Sequence, residues 1–155
     1  MSPRLRRLQA DYEQMAAAFT QHPHIRVVQV EGSPPERYLI EFRVRGLVPL
    51  DRDDAFQEGD LHRAEVFLML DYPRRPPFCR MVTPVFHPNI DAQKICIGDH
   101  WSAGQRLVHL VVRIGEMITY QSYNTKSPLN GKAAVWAQAN QDRLPLEQID
   151  LSAGL

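Results

Sequence analysis

Between Ile25 and Thr83 the apolar residues fall in short runs punctuated by turn residues, a pattern that suits strands and not helices. IRVVQVE from Ile25 is rich in β-branched residues, and GSPPE at 32–36 reads as a turn. RYLIEFRVRG then sets Leu39 opposite Ile40, with charged residues separating Phe42 from Val44. A polar stretch with Asp51, Asp53, Asp54 and Gly59 predicts a loop, and RAEVFLMLD from Arg63 and FCRMVT from Phe78 predict a third and a fourth strand. Strands in succession make an antiparallel meander, which needs cover on one face. Leu5, Leu8, Tyr12, Met15 and Phe19 recur at helical spacing, with Arg4, Arg6, Arg7, Asp11 and Glu13 on other faces. They predict a helix from about residue 3 to 20. Helical spacing returns with Leu107, Leu110, Val111, Ile114 and Ile118, and after Pro128 with Ala133, Ala134, Trp136, Ala137 and Leu144. The fold class is α+β, with residues 1–145 as a single domain and 146–155 as a loosely attached tail.

Composition narrows the function classes. Lys+Arg 18 balances Asp+Glu 18 in a chain of 155 residues, which removes the electrostatic case for nucleic acid or anionic membrane as a partner. No apolar run approaches the ~20 residues that span a bilayer, and the basic N-terminus has no apolar stretch behind it to make a signal peptide. Two cysteines, Cys79 and Cys96, are too few for a disulfide framework, so a reducing cytoplasm is the expected compartment. Of the basic residues 15 are Arg and three are Lys (Lys94, Lys126, Lys132), a skew that a GC-rich genome accounts for.

From Pro84 to Gly104 no period is sustained, although the stretch holds His87, Cys96 and Trp101. Such a segment inside a compact domain is usually functional. Around it stand Tyr72-Pro73 with Pro76-Pro77, Thr83, His87-Pro88-Asn89, Ile95-Cys96-Ile97, Trp101, and Ser127-Pro128-Leu129-Asn130 with Ala133-Ala134. This ordered set resembles the ubiquitin-conjugating (E2) family over about residues 3 to 142. The resemblance implies a UBC-like fold: a leading helix, a four-stranded antiparallel meander, an irregular active-site segment, a central helix and, here, one further helix.

It also implies thioester chemistry. Cys96 would accept the C-terminal carboxyl of a ubiquitin-like protein from an E1-like activating enzyme and pass it to an amine of an acceptor protein. A thiol suits both steps, being nucleophilic near neutrality and a good leaving group. Taken alone, a free cysteine is more often a small buried hydrophobe, and Cys79, in register with Met81, is expected to be one. The Asn that matches Asn89 is credited in the family with stabilising the oxyanion or with holding the active-site loop. Pro88 restricts His87 and stiffens the turn, and His87 is expected to bond backbone there without moving protons. For the acceptor proton, the family position before the Pro-Leu pair falls on Ser127, while Asp99 and His100 are alternatives. Arg4, Arg6 and Arg7 would dock the E1-like enzyme.

Departures from the family pattern are specific. Cys96 comes seven residues after Asn89, one fewer than is usual in the family, Arg74 stands where an exposed hydrophobe is common, and Ser102-Ala103-Gly104 lacks the usual proline. The last two fall on the family's RING-docking loops, which leaves a ligase partner open. The compact form and the Arg/Ala/Pro-rich composition resemble prokaryotic E2-like proteins of antiphage operons. Three other readings compete: a non-catalytic UBC-fold module that binds a ubiquitin-like partner, a Cys-His hydrolase, and a metal site from His87, Cys96 and His100. The hydrolase lacks an orienting acid, and the metal site lacks a standard ligand spacing. No cofactor or metal is expected.

Overall fold

The computed structural model describes residues 1–52, 55–97 and 101–155. Helix α1 (Pro3–Phe19) begins where Ser2 accepts a hydrogen bond from the Leu5 N–H, with Pro3 in the first turn where its missing N–H costs nothing. Its inner stripe is Leu8, Asp11, Met15 and Phe19. The three apolar members contribute about 1.5–3 kcal/mol each by burial. This stripe is rotated from the expected one: Leu5 and Tyr12 are each 39% exposed, whereas Asp11 is 1% exposed. A carboxylate can sit there because Tyr72 donates to it at 2.6 Å and Arg7 bonds both its oxygens at 3.1 Å. Burial still outweighs these bonds and pushes the Asp11 carboxyl up.

Strands β1 (Ile25–Gly32), β2 (Pro35–Phe42), β5 (His62–Phe67) and β6 (Phe78–Met81) form one antiparallel sheet in the order β1-β2-β5-β6. The inner face carries Tyr38, Ile40, Phe42, Ala64, Val66, Cys79 and Met81, all buried. Period-two alternation places Glu41, Arg63, Glu65 and Arg80 on the opposite face. There Glu41 is bracketed by Arg26, Arg43 and Arg63, and Glu65 by Arg37 and Arg80. Burial opposes the charge of Glu41, but the Arg43 and Arg63 hydrogen bonds prevail and hold its carboxyl below the ordinary range. Five of the 15 arginines are therefore committed to this face, where the guanidinium fork matches carboxylate geometry.

The polar loop expected around Asp51 and Gly59 is instead a small hairpin, β3 (Gly46–Pro49) against β4 (Phe56–Gly59), whose Asp53 and Asp54 lie outside the described residues. Leu47 and Phe56 pay for it by packing into a second apolar cluster with Phe86, Tyr120 and Trp136.

Helix α2 (Leu107–Ile118) is central, with nine of its twelve residues buried. Helix α3 (Gly131–Ala139) is capped by the Asn130 side chain, which accepts from Ala133 N–H at 3.1 Å, and a 3-10 turn at Gln141–Arg143 follows it. Residues 146–155, read as a loose tail, pack onto the core. Leu151 is 1% exposed, its carbonyl lies 2.8 Å from His22 Nε2, and Gln121 donates to the carbonyls of Glu147 and Ile149. Gly115 on α2 makes room for Leu151, since a Cβ there would stand 2.7 Å from Leu151 Cδ1. Among the described residues no helix is long and apolar enough to cross a membrane.

Candidate active site

After β6 the chain leaves the sheet through Thr83, whose hydroxyl accepts from Arg63 N–H at 2.8 Å. Phe86 is then fixed twice: its N–H donates to Leu47 O at 2.7 Å, and its carbonyl accepts from the Tyr120 hydroxyl at 2.6 Å. His87 follows, 1% exposed and 4.7 Å from the Tyr120 ring. Its Nδ1 accepts from Asn89 N–H at 3.0 Å, which leaves Nε2 to donate to Ser122 O at 3.2 Å. Burial drives the imidazole down to about 4, against the pull of the Ser122 carbonyl. A neutral ring with both nitrogens occupied moves no proton at neutral pH; it ties the turn to the segment after α2.

Asn89 makes the same connection one step nearer the thiol. Its Nδ2 donates to Asn124 O and its Oδ1 accepts from Asn124 N–H, both at 2.8 Å. Its own carbonyl accepts from Cys96 N–H at 2.9 Å. Pro88 contributes its carbonyl, which receives Leu129 N–H at 2.8 Å and Asn130 N–H at 3.1 Å. Of the two roles attached to Asn89, the geometry displays loop-holding; one amide N–H remains for an oxyanion.

The short spacing from Asn89 to Cys96 closes through an Asx turn. Asp91 Oδ1 accepts from Gln93 N–H at 2.8 Å and Lys94 N–H at 2.9 Å, and Asp91 N–H donates to Lys94 O at 3.0 Å. Ile95 then bonds Cys79 O at 2.8 Å, fastening the returning chain beside β6. Ile95 and Ile97 are buried, so in an extended segment the residue between them must point outward. Cys96 is exposed for that reason, while Cys79 is buried in the core, where desolvation pushes its thiol up.

Cys96 opens into a cleft of about 460 Å³ whose walls include Asn89, Arg113, Tyr123, Lys126 and Ser127. The structure thus brings Ser127 to the cysteine, in a left-handed backbone conformation with φ of 52°. Asp99 and His100 lie outside the described residues. No carboxylate lines the described part of the cleft.

Arg4, Arg6 and Arg7 do not form one available patch. Arg7 donates to Tyr72 Oη at 3.0 Å and to the carbonyls of Ala103 and Gln105 at 2.5 and 2.7 Å, besides its pair with Asp11. Arg4 donates to Glu36 and to the carbonyls of Leu68 and Met69. Arg6 is the exposed member. The loop at Arg74 and the loop at Ser102–Gly104 are exposed neighbours, joined by the Trp101 indole donating to Pro73 O at 2.8 Å.

Sequence reasoning missed Tyr120, Ser122, Asn124 and Arg113. The first three sit in an aperiodic stretch; Ser122 and Asn124 meet His87 and Asn89 through backbone groups that leave no residue-type signal, and Tyr120 acts through its hydroxyl and ring. Arg113 is hidden in the periodicity of α2.

A profile of the family described as ubiquitin-conjugating enzyme matches residues 7–147. Ubiquitin-conjugating enzyme E2 N of Drosophila melanogaster is 33% identical over 112 residues, covering 69% of this chain and 71% of that protein. Ubiquitin-conjugating enzyme E2 13 of Schizosaccharomyces pombe is 28% identical over 114 residues, covering 70% and 74%. SUMO-conjugating enzyme UBC9 of Caenorhabditis elegans is 26% identical over 88 residues, covering 53% of this chain and 52% of its own length.

Proposed function

The chain belongs to the ubiquitin-conjugating enzyme family, whose members are transferases working through a cysteine thioester, and on that premise we propose that Cys96 is its acyl carrier. An E1-like enzyme delivers the C-terminal carboxyl of a ubiquitin-like protein to the Cys96 sulfur, and an acceptor amine then displaces the thiolate. The observation that carries this reading is the outward thiol between two buried isoleucines, at the head of a cleft large enough for a narrow C-terminal tail. Asn89 holds the cleft wall through Asn124 and has one N–H left for the oxyanion, where a single donor is worth ~10²–10³ in rate. His87 and Pro88 brace that wall, and Ser127 positions the acceptor, with Asp99 and His100 as candidates for its proton.

The partners proposed are an E1-like enzyme that uses Arg6 at the start of α1, a ubiquitin-like protein and an acceptor protein. Relatives carry ubiquitin, SUMO and NEDD8 in their names, so the modifier is one of this class. The exposed Arg74 disfavours a partner that expects an apolar side chain there. A reducing cytoplasm keeps such a thiol available. The arginine-, alanine- and proline-rich composition supports a bacterial antiphage conjugation system as the setting.

The test incubates the protein and ATP with ubiquitin, SUMO, NEDD8 or a bacterial ubiquitin-like protein and the activating enzyme of each, then resolves the products on a non-reducing gel. A thiol-sensitive adduct that disappears in Cys96→Ala is expected with at least one set. Failure of every set to load Cys96, the bacterial sets included, overturns the reading in favour of a module that only binds.

A further inference from the structure

The Cys96 cleft differs in charge from the chain that carries it. Lys+Arg 18 balances Asp+Glu 18 over the whole sequence, but the described lining of the cleft holds Arg113 and Lys126 with no carboxylate. The two cations reach it from different elements. Arg113 comes from α2, about one turn before Met117, and is half-buried. Lys126 comes from the stretch after α2 and is exposed. Its N–H donates to Asn124 Oδ1 at 2.6 Å, Asn124 is clamped by the Asn89 amide, and Asn89 O receives Cys96 N–H. The Lys126 side chain therefore starts from a fixed place relative to the sulfur.

Among the described residues no ion pair neutralises either cation. Arg113 feels the field of Glu116, one turn further along α2, but Glu116 does not line the cleft. Burial pushes the Glu116 carboxyl up against the pull of Arg113, and Asp150 adds to the push. We propose that Arg113 and Lys126 select the modifier by the charge of its tail. The cleft takes a C-terminal tail with acidic side chains a few residues ahead of the reacting carboxyl, and disfavours one with basic side chains there. A tail whose terminal carbonyl reaches the sulfur lies along this lining, in a cleft of about 460 Å³ where protein replaces part of the screening water. A carboxylate there gains the guanidinium fork and the ammonium as partners. An arginine or lysine meets repulsion that no described acid of the lining relieves. The inference rests on the Cys96 reading and narrows its substrate to ubiquitin-like proteins with an acidic tail.

The probes are three acetylated peptide thioesters of N-acetylcysteamine, each ending in two glycines and carrying Glu, Gln or Arg at the next two positions. Cys96 thiolate attacks the thioester carbonyl, the new C–S bond forms, the old one breaks, and N-acetylcysteamine leaves as a thiolate that takes a proton from water. The second-order rate of the thiol-sensitive adduct is read by intact-protein mass spectrometry. Dividing it by the rate of the same peptide with 2-mercaptoethanol removes differences in intrinsic reactivity. On that scale the Glu peptide should load about tenfold faster than the Gln peptide, and the Arg peptide about tenfold slower. In about 1 M salt, where the Debye length falls to about 3 Å, the spread should shrink. It should collapse to within about twofold in the Arg113→Gln, Lys126→Gln double variant and persist in Arg113→Lys, Lys126→Arg, which keeps both charges. Equal rates for the three peptides, a faster Arg peptide, or a spread that survives the double Gln variant overturns the proposal and leaves the Cys96 reading standing. Absence of any adduct, or an adduct that persists in Cys96→Ala, removes both.

Discussion

Single side chains in this site are set by what their neighbours leave them. His87 is the sharpest case: its two nitrogens are spent on Asn89 N–H and Ser122 O, and burial holds it near 4 against an ordinary value of 6.5. Because the folded value is the lower one, the unfolded chain binds the proton first. Stability from His87 is complete above about pH 6.5 and drains away as pH falls toward 4. One such group costs about 2 kcal/mol by pH 5, and buried His62, also pushed down by desolvation, acts in the same direction. Urea unfolding at pH 7 and pH 5 should show this loss, and His87→Gln should show a smaller one; equal stability at both pH values would contradict the assignment. Asn89 gives a kinetic counterpart. Asn89→Ala leaves both polar groups of the Asn124 peptide without their partner, so it should still load but discharge to free lysine ~10²-fold more slowly. Single-turnover discharge measures that, and an unchanged rate would remove Asn89 from the reaction.

At the level of elements, periodicity was a faithful guide where one side of an element meets the core. It placed the four main strands and α2 because their apolar residues alternate or recur at helical spacing against the main core. It failed over β3 and β4, whose four-residue strands flank a run of acidic residues and are held by Leu47 and Phe56 reaching a second cluster that no local pattern announces. It also turned α1 by part of a face, since it cannot know that Tyr72 and Arg7 make Asp11 acceptable inside. The C-terminal segment misled for a related reason: Leu146, Ile149, Leu151 and Leu155 set up no sustained period, yet Leu151 fills the space that Gly115 vacates. Leu151→Ala should cost about 2–5 kcal/mol in chemical denaturation. Gly115→Ala should be destabilising alone and less so beside Leu151→Ala, because the 2.7 Å contact is then gone. Additive costs would show that the two do not meet.

For the whole molecule, the sheet and α2 hold the aperiodic segment by both ends. Ile95 is fastened to β6, Phe86 to β3, and the Asn89 turn to the stretch after α2. The irregular segment that carries His87, Asn89 and Cys96 was legible in the sequence; the cleft was not, because its far wall comes from residues about thirty positions away, joined by hydrogen bonds to their backbone. What emerges is a rigid frame that exposes one thiol and buries the other. Intact-protein mass spectrometry after loading with a ubiquitin-like protein and its activating enzyme tests this directly. The account predicts a gain of one modifier less one water, reversed by dithiothreitol, abolished in Cys96→Ala and retained in Cys79→Ala. A gain that survives Cys96→Ala, or that depends on Cys79, would contradict it.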